Sequence, residues 1–119
     1  MNGLELLETY PKTAIVVKQW FLDKMLEGLK DSSIPEEFKE LARQQGIDNE
    51  RVAVMIDASP RALYDIFDSH KIYIGTIVDE HNGFWWTINN TKSTVGYEKR
   101  KNCDNAVMEE AFKLLNNKL

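Results

Sequence analysis

The chain contains 119 residues, of which 43% are hydrophobic and 29% are charged, and its formal net charge is −4 at pH 7. These values are typical of a globular domain with a buried core and exclude a disordered chain. No apolar run approaches the ~20 residues of a membrane span, and the first residues lack a signal-peptide pattern. The single cysteine, Cys103, allows no internal disulfide, so we expect a cytoplasmic protein without a membrane partner.

The charge is unevenly distributed between two parts of one compact domain. Residues 1–57, the N-terminal part, contain 7 Lys/Arg and 11 Asp/Glu, whereas residues 58–119, the C-terminal part, contain 8 of each kind. Binding to a polyanion depends on Lys and Arg. A nucleic-acid surface is therefore expected only in the C-terminal part.

The N-terminal part begins with two predicted helices. Residues 4–8 form a short one, and Pro11 introduces an amphipathic helix over residues 13–29. The apolar side of this second helix consists of Ala14, Val17, Phe21, Met25 and Leu29, with Ile15, Leu22 and Leu26 beside them. Val16 and Trp20 lie on the opposite side, where either the N-terminal segment covers them or a partner protein binds them.

Two further predicted helices have the spacing of a helix-turn-helix. A Ser-x-x-Glu capping pattern at residues 33–36 begins a helix that ends at Gln45, and Gly46 is its left-handed cap. Asp48 caps a helix over residues 49–56; the apolar run 52–56 is also compatible with a strand, and the cap favours the helix. The spacing indicates two helices packed at a steep angle. Their contact positions are Leu41, Ala42, Gly46, Ile47, Val52 and Met55. DNA recognition is disfavoured because the second helix exposes mainly carboxylates, which repel phosphates.

The C-terminal part changes from a helical to a two-residue period. The predicted elements are a helix from Ser59-Pro60 to Phe67, strands over residues 71–79, 84–89 and 93–98, and a last helix from Asn102 or Asp104 to about Asn116. Asn82-Gly83 between the first two strands is a strong hairpin signal. The fold class is therefore α+β, with a helical N-terminal half followed by a three-stranded antiparallel meander and a closing C-terminal helix whose inner stripe contains Val107, Ala111, Leu114 and Leu115, flanked by Phe112.

The predicted sheet is apolar on both faces. Phe84 and Trp86 share one face, and Trp85 shares the other face with Tyr73 and Ile77. The closing helix is expected to cover one face and the N-terminal helices the other. If the N-terminal helices do not, Tyr73 and Trp85 form a stacking platform for bases or for the side chains of a partner.

A basic run precedes the last helix, at Lys99, Arg100 and Lys101. Together with the order helix, three strands, helix, this run resembles the entry into the last helix of a double-stranded RNA-binding domain. The resemblance implies that these three cations contact phosphates; the alternative is that they point into water. The segment from Ile72 onward, with its Gly-Tyr-x-x-Arg run at residues 96–100, also resembles small proteins of bacteriophages and prophages, which implies an accessory or host-interacting protein without catalytic residues.

The sequence offers little support for catalysis. Neither His70 nor His81 has a partner at metal-ligand spacing, and Cys103 is predicted to pack inward, a reactive thiol being the less favoured alternative. We expect no catalytic residue, metal or cofactor. The leading hypothesis is a non-enzymatic protein that binds another protein through Val16, Trp20, Tyr73 and Trp85. Nucleic-acid binding through the basic run is the alternative, a small hydrolase or thiol enzyme is a third, and a homo-oligomer is left open.

Overall fold

The computed structural model describes residues 1–28, 35–81 and 83–119 and shows an α+β fold. The elements are helices α1 (Gly3–Thr9), α2 (Pro11–Gly28), α3 (Glu36–Gln45) and α4 (Asn49–Ala58), a 3-10 turn (Pro60–Leu63), helix α5 (Tyr64–Ser69), strands β1 (Ile74–Asp79), β2 (Gly83–Ile88) and β3 (Thr91–Lys92), and helix α6 (Arg100–Lys118). The strand order is β1-β2-β3, with antiparallel pairing. The predicted fold class is confirmed. None of the described helices is long and apolar enough to cross a bilayer.

Helix α6 lies at the centre of the hydrophobic core. It packs against β2 and β1 of the sheet, against the 3-10 turn, and against α2, while α1 packs on α4 and α2. Both parts of the chain therefore contribute to one core, whose fully buried large side chains include Leu7, Val17, Val52, Ile56, Leu63, Phe67, Ile72, Val107, Met108, Phe112 and Leu115.

Polar contacts attach α2 to α6. The Thr13 hydroxyl donates to the carbonyl oxygen of Phe112 at 2.8 Å, inside the core. The amide side chain of Asn116 accepts from the backbone N–H of Lys12 at 2.9 Å and from that of Thr13 at 3.4 Å. Because the first N–H groups of a helix have no partner within it, Asn116 acts as a cap that α6 supplies to α2.

The helix boundaries of the N-terminal part agree closely with the sequence. Gly46 has a φ of +70°, and the Asp48 carboxylate accepts from the backbone N–H of Arg51 at 2.8 Å, so both predicted caps are confirmed. The Ser33 end of the capping pattern lies outside the described residues. In α2, the apolar stripe is wrong for Ile15 and Met25, which are exposed. No residue of α2 after Leu22 is buried, because its last turns extend past the core.

The predicted helix-turn-helix corner is only half present. Ile47 and Val52 are buried as expected, but Leu41 is exposed, together with Phe38 on the same helix. Among the described residues, α3 makes only marginal contact with any other element. The steeply packed pair of helices is therefore wrong: α4 joins the core, whereas Phe38 and Leu41 of α3 face water.

The sheet begins and ends differently from the prediction. Strand β1 starts at Ile74 rather than Lys71, because Lys71 has a φ of +61° and the N–H of Ile72 donates to the carbonyl of Phe67 at 2.8 Å. The third strand is not at residues 93–98 but at Thr91–Lys92. Asn89 and Asn90 both have positive φ, of 50° and 71°, which makes a tight turn directly after β2.

The chain leaves the sheet at Ser93 and returns briefly at Tyr97. The Ser93 hydroxyl accepts from the N–H of Trp86 and donates to the carbonyl of Val95, which turns the backbone away. Tyr97 and Phe84 then exchange two backbone hydrogen bonds of 2.7 Å each. This isolated bridge closes the outer end of β2, beside the start of α6.

Helix α6 starts earlier than the sequence indicated. Its N-cap is Lys99, without a side-chain cap, rather than Asn102 or Asp104. Its inner stripe is largely confirmed: Val107, Ala111, Phe112 and Leu115 are fully buried, with Cys103 and Met108, whereas Leu114 is only partly buried.

Candidate functional site

The register of the sheet assigns each side chain to one of two faces. Trp85 lies opposite Ile77, and Thr87 lies opposite both Gly75 and Lys92. Directly paired residues share a face. We call the set Tyr73, Gly75, Ile77, Trp85, Thr87 and Lys92 the outer face, and the set Ile74, Thr76, Val78, Phe84, Trp86 and Ile88 the inner face.

The inner face joins the core and the outer face does not. Ile74, Trp86 and Ile88 pack against the core, and the helices that contact the sheet are α6 and α5. Within the described residues, α1–α4 make no more than marginal contact with the sheet. The prediction that the N-terminal helices cover the second face is therefore wrong. The reason is that α1, α2 and α4 bury their apolar residues on one another and on α6 instead.

Trp85 lies at the centre of the outer face and is half-buried. The ammonium of Lys92 lies 4.1 Å from the centroid of its ring, at the distance of a cation–π contact. Its indole Nε1 is buried and has no hydrogen-bond acceptor among the described residues. An unsatisfied buried N–H costs about 1–3 kcal/mol of stability.

The outer face also exposes two large side chains: Ile77, directly opposite Trp85, and Tyr73, four residues before Ile77. Ile77 is 43% exposed and Tyr73 is 55% exposed. Asn89 fixes Tyr73 at the end of the sheet: its side-chain oxygen accepts from the Tyr73 N–H at 2.9 Å, and its own N–H donates to the Tyr73 carbonyl at 3.0 Å. Tyr73 is thus fixed at one end of the outer face, with the Gly75–Thr87 pair between it and Trp85, whereas Ile77 and Lys92 are the neighbours of Trp85 itself.

Val16 and Trp20 lie elsewhere, on α2. Both are partly buried against the core, and the Trp20 ring contacts Phe21 edge-on at 5.0 Å with the Lys24 ammonium 5.6 Å from its centroid. Because α2 makes only marginal contact with the sheet, Val16 and Trp20 are not part of the outer face. The register places Tyr73 and Trp85 on that face, offset by four residues along the strands, about 14 Å.

The three cations of the basic run are all exposed, but they point in different directions. Arg100 lies over the Phe84 ring, 5.0 Å from its centroid, and Lys101 borders a cleft that also contains Glu5 and Asp57. Lys99 precedes the first turn of α6 as its N-cap. Successive helical residues diverge by ~100°, so the run does not converge on one phosphate.

His70, His81 and Cys103, the residues considered for chemistry, lie in different surroundings. His81 is exposed at the hairpin tip, where its N–H donates to Asp79, and the His70 carbonyl accepts from the Lys118 ammonium at 2.8 Å. Cys103 is fully buried, and this burial, with a smaller effect of the Asp104 carboxylate, raises the pKa of its thiol. It packs inward as expected. In the described ranges no three His, Cys, Asp or Glu side chains come close enough to hold a metal ion.

Four members of the outer face were not singled out from the sequence as binding residues, and two of them, Ile77 and Lys92, are the neighbours of Trp85. Ile77 could have been found from the alternation that places it with Tyr73 and Trp85. Lys92 could not, because its position depends on the turn at residues 89–90. A comparison of the chain with protein families, with curated proteins and with solved structures found no match.

Proposed function

We propose that this protein is a non-enzymatic protein-binding domain and that the outer face of the sheet is its binding surface. The observation that carries the proposal is an aromatic and aliphatic face, built on regular strands, that no described helix covers. Trp and Tyr are the residue types that most often anchor protein interfaces. A rigid strand platform also lowers the conformational entropy lost on binding.

The residues of the face indicate the chemistry of the partner segment. An apolar side chain would cover Ile77 and the ring of Trp85, removing both from water. A carboxylate beside it would pair with the ammonium of Lys92, which lies over the ring. We therefore expect an acidic and apolar protein segment; by the resemblance to phage and prophage proteins, its source would be a host protein.

A site-specific photocrosslinker tests this proposal. The benzophenone amino acid is placed at Tyr73 on the outer face and, as a control, at Val54, which is exposed on α4. We expect a protein from the cell lysate to be captured from position 73 and not from position 54. Equal capture at the two positions, or none at position 73, contradicts the proposal.

The captured partner then permits a quantitative test. Ile77→Lys and Tyr73→Ala are expected to weaken its binding at least ~10-fold each, equivalent to about 1.4 kcal/mol, whereas Val54→Lys leaves it unchanged. Circular dichroism confirms that each variant is folded. Unchanged affinity in both outer-face variants would remove the outer face as the binding surface.

Nucleic-acid binding is the second candidate, and the exposure of Lys99, Arg100 and Lys101 at the start of α6 is the observation that favours it. It predicts a gel shift with double-stranded RNA that weakens as salt increases, because phosphate contacts release counterions. Reversing the three charges to Glu should abolish the shift. If the wild-type chain gives no gel shift at low salt, it does not bind double-stranded RNA through Lys99, Arg100 and Lys101.

A further inference from the structure

Strand β1 is an edge of the sheet, and half of its backbone groups point away from β2. Tyr97 and Ser93 bond to Phe84 and Trp86, so these two β2 residues use their backbone groups on the side away from β1. In an antiparallel ladder such residues alternate with those bonded to the other neighbour. Their partners in the register, Thr76 and Val78, and likewise Ile74, therefore direct their N–H and C=O groups outward.

This edge has none of the usual protections against strand pairing. Residues 74–79 contain no Lys and no Pro, and their only charged residue is the last one, Asp79. Val78 is 60% exposed and Ile77 is 43% exposed. In residues 1–28, 35–81 and 83–119, no hydrogen-bond partner reaches the outward groups of Ile74, Thr76 or Val78.

We infer that β1 pairs antiparallel with β1 of a second copy of this chain, about a two-fold axis at Thr76. Thr76 then bonds to its own counterpart, and Ile74 of each copy bonds to Val78 of the other. All outward groups of these three residues are satisfied, by about six backbone hydrogen bonds, and the two sheets become one six-stranded sheet.

The side chains favour this register over pairing with an unrelated strand, since β1 is complementary to itself in antiparallel orientation. The exposed Val78 comes to lie beside Ile74 of the second copy, which already packs on the core. On the other face, Ile77 comes to lie opposite Gly75, whose lack of a side chain leaves room for it. No two like charges are opposed, because Asp79 faces Tyr73. This dimer is independent of the proposed protein binding, and it leaves the outer face open.

Sedimentation equilibrium tests the dimer with two edge variants and a control. We expect the wild type to approach twice its 13.8 kDa chain mass. Thr76→Pro removes an outward N–H and leaves every hydrogen bond to β2 in place. Val78→Lys adds a charge to the edge. Both variants should sediment as monomers. Val54→Lys, on α4, should remain dimeric. A wild type that is monomeric up to about 1 mM chain overturns the inference.

Disulfide crosslinking tests the register itself. Thr76→Cys places two thiols opposite each other on the axis, so mild oxidation should give a covalent dimer. Val78→Cys is the matched control, because its two thiols are four residues apart along the strands, about 14 Å. The native Cys103 is buried and unavailable. Equal crosslinking of the two variants, or crosslinking of Val78→Cys alone, excludes this pairing.

Discussion

The two faces of the sheet contain similar residues and have different surroundings. The inner face contributes Ile74, Trp86 and Ile88 to the core, whereas the outer face leaves Ile77 and Trp85 without a covering element. Ile88 is 5% exposed and Ile77 is 43% exposed. The apolar character of a strand therefore does not determine whether a face is covered, because this depends on where the helices find other apolar surfaces.

Helix α6 explains the difference. Its buried stripe faces the sheet and, on its other sides, the N-terminal helices, so that α6 separates α2 from the sheet. The N-terminal helices thus bury their apolar residues without reaching the outer face. The outer face is thus the apolar surface to which the proposed partner binding is assigned.

The largest expected effect on stability is the difference between an Ile→Ala substitution on the inner face and one on the outer face. Ile88→Ala is expected to lower the free energy of unfolding by about 2–5 kcal/mol, because it removes buried contacts and leaves a cavity. Ile77→Ala should lower it by less, about 1 kcal/mol, since that side chain is 43% exposed and is not part of the core. Urea denaturation of both variants, at concentrations where the chain is monomeric, measures the difference. Equal losses would mean that the two faces are equally covered.

Much of the fold was predictable from local sequence. The change from a helical to a two-residue period located the sheet, and the capping residue Asp48 and the glycine at position 46 located the ends of helices correctly. The third strand was misplaced because Asn89-Asn90 was not recognised as a turn. Asn tolerates positive φ, and two such residues in succession end β2 at Ile88.

The candidate site was predictable only in part. Alternation along the strands places Tyr73 and Trp85 on one face, as the sequence indicated. The sequence could not show which of the two faces is uncovered. The uncovered face is determined by the packing of α1, α2 and α4 on one another and on α6. Trp20 shows the same limit: it lies off the main apolar stripe of α2, yet it packs partly against the core.

The β2 edge of the β1–β2 hairpin, unlike the β1 edge, is bridged by Tyr97, and a second prediction tests this bridge. Gly83 has a φ of +83°, and a Cβ there would clash with the carbonyl oxygen of Tyr97. Gly83→Ala should therefore strain the bridge between Tyr97 and Phe84 that closes the β2 edge, and lower the free energy of unfolding by about 1–3 kcal/mol.

Gly28 provides the matched control for this substitution. It ends α2, and a Cβ there would have no neighbour within 4 Å. Gly28→Ala should leave the protein as stable as the wild type, or more stable by up to about 1 kcal/mol. Thermal unfolding of the two variants measures the contrast. A Gly83→Ala protein as stable as the Gly28→Ala protein would show that the Tyr97 bridge does not close this edge.

The smallest expected effect comes from removing a buried polar atom that has no hydrogen-bond partner among the described residues. The hydroxyl of Tyr64 and one carboxylate oxygen of Asp104 are buried without a hydrogen-bond partner among the described residues. Tyr64→Phe removes the unsatisfied hydroxyl and should stabilise the protein by about 1 kcal/mol. Tyr73→Phe is the control on the outer face: its side chain is exposed, so its loss of a hydroxyl should not change stability.

The pH dependence of stability distinguishes two reasons why Tyr64→Phe could be more stable: the loss of an unsatisfied hydroxyl and better packing. Burial, and then the carboxylate of Asp104, raise the pKa of Tyr64 above its ordinary value of 10.0. Above that pH the unfolded chain loses the proton while the folded chain keeps it, so the wild type should lose stability as pH rises towards the folded pKa. Urea denaturation from about pH 8 to about pH 11 should show a weaker decline in Tyr64→Phe. The buried thiol of Cys103 leaves a residual decline, because its pKa is raised as well. If the stability of Tyr64→Phe and that of Tyr73→Phe decline equally with pH, the buried hydroxyl of Tyr64 is not the cause of the decline.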